Sequence, residues 1–346
     1  MGADCVVVTG ASGYLAGHCV LQLLARGYHV RGTLRSAKRA GEVRQWLARA
    51  RGADPGDALS FVEAELTEPA GWKAAMEGAR YVLHTASPIP PTQPKDPDML
   101  IRPAREGTLH VMRAASAATV QRVVQTSSAV AIMYGCDDPN GRVFTEETWS
   151  NPDHHDNSPY SRSKTLAEQA AWAELPKLAR PIEWVAIQPG LILGPVLARD
   201  ASATVQIIDM LMKGELPGLP RFAYSVVDVR DLADLHIRAM LNPHAAGQRY
   251  LGTSSFVSMP DMARILKNGL GAEAKKVPTR GLPDWLVRIV GLFDPAVRGQ
   301  LFELGKERRG SSQKAISQLG WATRPVEQTI LDTATSLAAV GGLERK

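Results

Sequence analysis

Tyr160 and Lys164 stand four residues apart in the run YSRSK, inside a segment whose spacing predicts a helix. Side chains four apart share one helix face. A free phenol, with a pKa near ~10, is a poor acid–base group at neutral pH. An ammonium beside it favours the phenolate and lowers that value. The pair is therefore expected to give an unusually acidic tyrosine. Its lysine is long enough to reach the ribose hydroxyls of a bound nucleotide as well. A Tyr-x-x-x-Lys match arises often by chance, so it needs a partner. The run Val123-Val124-Gln125-Thr126 reads as a strand and leads straight into Ser127-Ser128. A serine hydroxyl there could donate to a carbonyl oxygen while the tyrosine protonates it, two donors stabilising a developing alkoxide. Plain turn chemistry after a strand is the alternative for both serines.

A second chemical feature lies near the N-terminus. Residues 6–17 read VVVTGASGYLAG, a β-branched run followed by Gly10-x-x-Gly13-x-x-Ala16. Gly10 permits a tight turn at positive φ. Gly13 lets backbone approach a pyrophosphate, and the helix N-terminus offers that anion free N–H groups and a positive dipole end. Ala16 is small where the helix must pack on the sheet. Strand before and helix after is the context a dinucleotide site requires.

The tip of the next strand should read the ribose of that dinucleotide. An Asp or Glu about 20 residues on would bind free ribose hydroxyls. Residues 31–39 instead read RGTLRSAKR, without an acid. The planar fork of Arg35 suits a phosphate, and Ser36 and Lys38 follow it. NADP(H) is expected over NAD(H); a surface arginine cluster is the plainer alternative.

These groups need a scaffold that gathers distant segments at one edge. Strands are predicted over 5–8, 28–34, 59–64, 81–84, 121–126 and 183–188, with helices over 14–26, 38–51, 70–77, 98–118 and 159–175. Strand–helix alternation of this kind implies right-handed crossovers and a parallel sheet covered on both faces, a doubly wound α/β fold of Rossmann type. Ligands bind such sheets beyond the carboxyl ends of the strands. Residues 88–97 hold five prolines, which excludes helix and central strand; this stiff loop either borders the ligand or merely connects. Beyond Pro189 the alternation breaks down. The expected division is a dinucleotide-binding domain over 1–190 and a smaller substrate lobe over 191–346. The segment near 221–250, with Ser225–Val229 as a strand, is expected to return to the main sheet.

The 346 residues are 45% hydrophobic and 22% charged, which excludes a disordered chain. The length suggests about two domains. A net charge of +5, spread along the chain, comes with no nucleic-acid module, so no nucleic-acid partner is expected. Cys5, Cys19 and Cys136 have neither disulfide-framework nor zinc spacing, and no metal is expected. No apolar stretch reaches the roughly 18 residues of a membrane span, and no basic leader precedes Val6. A cytoplasmic protein without membrane contact is the expectation.

The segments VVVTGASGYLAGHCV, YHVRGTLRS, YVLHTASP, VVQTSSAVA, SPYSRSKTLAE, IQPGLILGP and VVDVRDLADLH carry a resemblance. The sequence resembles the extended short-chain dehydrogenase/reductases, in the branch of dihydroflavonol and cinnamoyl-CoA reductases that also holds microbial NADPH-dependent aldehyde and ketone reductases. The resemblance implies that Ser128 is the catalytic serine, with Ser127 as fallback, Tyr160 the proton donor and Lys164 its cofactor-binding partner. It places Ser12, Tyr14 and Leu15 along the glycine motif. Arg35 and Lys38 become readers of the 2′-phosphate. Glu65 and Leu66 fall near the adenine, and Thr85, Ala86 and Ser87 along the ribose. Pro189, Gly190, Leu191 and Ile192 border the nicotinamide. Dihydroflavonol reductases carry an Asn five positions after the serine, reading ring hydroxyls; Met133 stands there, and favours an apolar substrate. Ala129 and Val130 lack the acids of the dehydratase branch.

Ser87, Met133 and Tyr224 are expected to line the substrate pocket, as are Trp149 and Phe222 if they are not core. His154 and His155 read as solvated loop residues that could rim it. Residues 285–302 either close over the substrate or pack the second lobe. The resulting expectation is an NADPH-dependent reductase of a small carbonyl compound with an apolar body, monomeric or homodimeric. Its rivals are a nucleotide-sugar epimerase and a non-catalytic NADP-binding sensor.

Overall fold

The computed structural model describes residues 4–88, 96–199 and 203–341. Most of the proline-rich loop, residues 89–95, lies outside them. In chain order the strands are β1 Cys5–Val8, β2 His29–Leu34, β3 Leu59–Glu63, β4 Ala79–His84, β5 Arg122–Thr126, β6 Val143–Phe144, β7 Glu183–Pro189, β8 Leu191–Leu193, β9 Ala223–Asp228, β10 Arg249–Gly252, β11 Ser255–Ser258 and β12 Arg309–Gly310. Seven of them form one parallel sheet in the order β3-β2-β1-β4-β5-β7-β10. This is the expected doubly wound architecture. Its order reverses between β1 and β4, the crevice where such sheets hold ligands.

The β-branched run of β1 shows why it cannot alternate with polar residues. Val6 and Val8 enter one core with the helices Tyr14–Ala25, Ala40–Arg51 and Val229–Leu241. Val7 points the other way, into a core with Trp72–Met76, Asp98–Ala117 and Pro159–Glu174. Both faces are covered, so every position is apolar.

The predicted return of Ser225–Val229 to the main sheet does not occur. β9 pairs parallel with β8 and antiparallel with β11, making a separate three-stranded sheet. The chain rejoins the main sheet later, at β10 beside β7. β9 reads like a main-sheet strand because it too is covered on both faces. Val227 faces the first core and Val226 a second one, built with helices Gln206–Lys213, Met259–Leu270 and Val326–Ala339. Between β7 and β8 there is a single residue, Gly190. A Cβ there would stand 2.1 Å from the Ser225 carbonyl oxygen, so only glycine lets the two sheets meet so closely. In the stretch 285–302, Trp285, Leu292 and Phe293 are exposed.

Three histidines are built into the scaffold as neutral groups. His236 accepts from Thr126 Oγ1 at 2.8 Å and donates Nδ1–H to the Leu232 carbonyl at 2.8 Å, bracing the end of β5. His18 donates to the Pro195 carbonyl at 2.9 Å. His84 meets Thr9 Oγ1 at 2.9 Å. Burial pulls His236 and His18 down to about 4 and His84 to about 3. The unfolded chain binds protons at these side chains below about pH 6.5, while the folded chain refuses them. Stability is therefore fully present above pH 6.5 and falls as pH drops toward 4, by about 1.4 kcal/mol per pH unit for each histidine. Chemical denaturation at pH 7 and pH 5 should show that loss, and His236→Asn should reduce its steepness.

Candidate active site

The turn after β1 is shaped as the glycine spacing requires. Gly10 has φ +65°, and a Cβ on it would press on Ala86 at 3.1 Å. Its N–H donates to Thr33 Oγ1 at 3.0 Å, and Gly13 N–H donates to the Gly10 carbonyl at 2.8 Å. No side chain caps the helix Tyr14–Ala25, and no acid stands in its first turn. The N-terminal N–H groups thus face outward beside the exposed Gly13. Ala16 is buried as expected, but the tighter packing constraint falls on Gly17, where a Cβ would lie 2.7 Å from Trp46. Leu15 is buried in the core, so it offers this edge only backbone. Tyr14 turns its hydroxyl to the Gly194 carbonyl at 2.7 Å, tying the turn to the end of β8.

At the tip of β2, Arg35 and Lys38 are exposed and their side chains engage no other described residue. Ser36 caps the short turn that follows. One acid does reach this loop, from the neighbouring strand. Glu63, paired in register with Leu34, accepts the Ala37 N–H at 2.8 Å. Two unpaired cations, an open glycine turn and an uncapped helix start fit a dinucleotide bearing a third phosphate. Glu65 folds onto its own backbone, its Oε1 accepting the Leu66 N–H at 2.7 Å.

The ends of β4 and β5 are pinned to β1 and β7. The Thr9 carbonyl accepts the Thr85 hydroxyl at 2.6 Å, and Thr9 Oγ1 accepts the Ala86 N–H at 3.0 Å. Ser127 N–H donates to Ile187 O at 2.7 Å, and Ala129 N–H to Pro189 O at 2.9 Å. Beside these ends opens a cleft lined by Leu66, His84, Ala86, Ser87, Gln125 and Lys164, among others.

Ser158 accepts the Ser161 N–H at 3.1 Å and Pro159 takes the first helical position, so the helix Pro159–Glu174 starts just ahead of Tyr160. The structure brings Ser128, Tyr160 and Lys164 together. Lys164 Nζ lies 5.9 Å from the centre of the Tyr160 ring, and the Ser128 side chain interacts with the Tyr160 hydroxyl. The expected acidification of the phenol is not seen. Burial raises Tyr160 above its ordinary value, with Ser128 opposing. Burial also draws Lys164 down to about 8, with Glu168 opposing. Desolvation of both groups outweighs the attraction that their spacing alone promised.

Ser127 lines the cleft beside Lys164, but its hydroxyl is already engaged. It donates to the carboxylate of Glu168, which is fully buried. The same carboxylate accepts Gln188 Nε2 at 2.8 Å, Arg249 Nε at 2.7 Å and Trp172 Nε1 at 3.3 Å. Arg249 reaches on to the carbonyls of Glu146 and Thr148 at 2.7 and 2.9 Å and covers the Trp149 ring at 3.6 Å. Sequence reasoning missed this hub. The available signal was Glu168 itself, one further turn along the face of Tyr160 and Lys164.

Met133 does not line the cleft. It is buried with Ala129, Ile132, Phe144 and Leu251 in a small core of its own. Tyr224 is half-buried, its phenol raised by burial and by the buried carboxylate of Glu303. Glu303 also accepts from Tyr134 and pairs with Arg308 at 2.6 Å. Phe222 belongs to the second core. His154 is held by Asp156 and Asp137 at 2.6 and 3.0 Å. The donor atoms of Asp137, His154 and His155 lie within 4.8 Å of one another, with His155 exposed. Among the described residues no helix is long and apolar enough to cross a membrane.

With this geometry in place, the comparisons with known proteins become specific. Residues 6–251 match the NAD dependent epimerase/dehydratase family. Cinnamoyl-CoA reductase 1 of Petunia hybrida is 34% identical over 98% of this chain and 93% of its own. Tetraketide alpha-pyrone reductase 2 of Arabidopsis thaliana is 31% identical over 76% of this chain and 75% of its own. The crystal structure of yeast methylglyoxal/isovaleraldehyde reductase Gre2, complexed with NADPH, superimposes with a TM-score of 0.80 at 25% identity, covering 97% of this chain and 99% of that one. The chain belongs to the NAD dependent epimerase/dehydratase family, the extended short-chain dehydrogenase/reductases, and is an oxidoreductase of its reductase branch.

The two serines should separate in stability. Ser127→Ala leaves a buried carboxylate one donor short and should cost about 1–3 kcal/mol in urea denaturation. Ser128→Ala should cost less, because the contact its Oγ makes with backbone, the Val130 N–H, is already long at 3.4 Å.

Proposed function

We propose that the chain reduces an aldehyde or ketone to the alcohol, with NADP(H) as its cofactor, Tyr160 as proton donor and Ser128 as carbonyl-binding hydroxyl. The observation that carries this reading is the convergence of Ser128, Tyr160 and Lys164 at the carboxyl edge of the sheet. Names of the relatives support the chemistry: the printed substrates include an acyl-CoA, an alpha-pyrone and small aldehydes. They share a carbonyl and little else, so the carbonyl is the common reactive group.

When bound, the cofactor supplies the hydride. Everything else falls to this chain. Gly10, Ser12, Gly13 and Tyr14 form the turn that holds its pyrophosphate, with Leu15 contributing main chain. Arg35 and Lys38, free of other partners, hold the 2′-phosphate. Glu65 and Leu66 border the adenine, Thr85, Ala86 and Ser87 the ribose, and the segment Pro189, Gly190, Leu191 and Ile192 the nicotinamide. Lys164 carries a positive charge on the ribose side of the cleft. Ser128 Oγ–H donates to the substrate oxygen and orients it. Tyr160 stays protonated because burial raises its pKa, which suits a donor that must deliver a proton as the oxygen gains charge. Ser87, at the cleft, and Tyr224 are the residues this reading assigns to the substrate. The division into a dinucleotide half and a substrate lobe belongs to the same proposal, with β8 and the strands paired to it as the boundary.

Tyr160→Phe should lower turnover by about 10²–10⁴-fold while NADPH binding, read by fluorescence, stays within a few-fold. Wild-type turnover in that variant would sink the assignment. Arg35→Ala should weaken NADPH by about tenfold or more and leave NADH unaffected. Equal use of both nucleotides by the wild type would overturn the 2′-phosphate reading.

A further inference from the structure

We propose that Glu168 is a positioning residue: its buried carboxylate locks the helix of Tyr160 and Lys164 to the sheet and supplies the counter-charge that the Lys164 amine needs. The inference rests on the reading of Lys164 as a cofactor-side amine.

The geometry is specific. Tyr160, Lys164 and Glu168 follow one another at four-residue intervals on a single face of the helix Pro159–Glu174. Glu168 is fully buried and Lys164 is buried at the cleft wall. The carboxylate takes hydrogen bonds from three directions: Ser127 after β5, Gln188 on β7 and Arg249 on β10. Three parallel strands therefore hold one point of the helix, one turn below the amine. Ser127 also precedes Ser128 directly. The position of Ser128 relative to Tyr160 is thus fixed through the same carboxylate.

A purely structural pair would be Glu168 with Arg249 alone, and its field at Lys164 would largely cancel. Two features argue for more. The charge of Arg249 is divided: its guanidinium also serves the carbonyls of Glu146 and Thr148 and stacks on Trp149, and its Nη2 is buried without a partner. The Glu168 carboxylate, one helical turn from the amine, opposes the desolvation that draws Lys164 down. The other titratable groups around Lys164 are Tyr160 on its own helix and His84 on β4, which burial keeps neutral. Ser127, Gln125, Thr126 and Thr108 complete the polar wall and carry no charge. Among the described residues Glu168 is the anion whose charge acts on the amine.

Removing that anion lets desolvation act on Lys164 unopposed, so the amine loses its proton at lower pH. The test reads the amine in the protein without nucleotide, by the pH dependence of trace acetylation of Lys164 with acetic anhydride, followed by peptide mass spectrometry. The wild-type midpoint is expected at about 8. Glu168→Gln should lower it by about one unit or more, and Glu168→Asp, which keeps the charge on a shorter arm, should hold it nearer the wild type. A packing role predicts the reverse order, since Gln is the closer isostere. Should Glu168→Gln alone fail to fold, the pair Glu168→Gln with Arg249→Met avoids leaving the buried guanidinium without its carboxylate, and its Lys164 midpoint should also fall. In turnover, the alkaline limit should move to lower pH by the same shift. An unmoved Lys164 midpoint in a cooperatively folded variant overturns the proposal. Absence of carbonyl reduction by the wild type would instead strike the reductase reading, and the acetylation result would stand apart from it.

Discussion

The carboxylate of Glu168 is the point at which the helix of Tyr160 and Lys164 is joined to the sheet. A fully buried carboxylate is costly to desolvate, and the cost is offset only if most of its acceptor sites are filled. Here they are filled from Ser127, Gln188, Arg249 and Trp172. Such a bond set admits little rotation or sliding of the helix, because moving it would leave several buried groups unpaired at once. The spacing between the serine after β5 and the tyrosine on the helix is a consequence of that constraint.

A second constraint sets the distance between the sheets. Gly190 allows β7 to pass into β8 with one residue between them, and the Ser225 carbonyl occupies the space a side chain would need. The contact is then fastened across the cores. Tyr14 and His18, on the first helix, reach the carbonyls of Gly194 and Pro195. Asp228 at the end of β9, almost fully buried, pairs with Arg230 and Arg324 at 2.8 and 2.9 Å. The glycine turn and the segment beyond Pro189 are thus hydrogen-bonded to each other directly. A nucleotide lying between them would meet a preformed site, which lowers the ordering cost of binding.

Two groups of charged side chains differ in character. The tip of β2 offers the unpaired exposed side chains of Arg35 and Lys38, with Glu63 holding the loop backbone from the side. Elsewhere, Glu303, Arg308, Asp156 and His154 are linked in a chain of ion pairs, with Glu303 and Arg308 buried. Free cations suit a ligand that arrives with its own anions. Linked ion pairs suit a region whose shape must not change.

Much of this protein could be read from residue types in order. The β-branched runs, the Gly10 turn, the alternation and the Ser128, Tyr160 and Lys164 positions depend on local sterics and on helix periodicity, and each strand and helix expected in the first 190 residues appears within a few residues of its limits, while the short helix Val130–Met133 and β6 are not among those expected. What required tertiary structure were the properties set by burial and by neighbours distant in sequence. β9 looks like a main-sheet strand because coverage on both faces demands the same residues in any sheet, and only pairing shows which sheet it joins. Met133 is the right type for an apolar pocket, yet its neighbours enclose it in a core. The pKa of Tyr160 could not follow from its distance to a lysine, because desolvation depends on the whole surrounding volume. Glu168 meets Arg249 across 81 positions, and no spacing rule joins residues that only the folded sheet brings side by side.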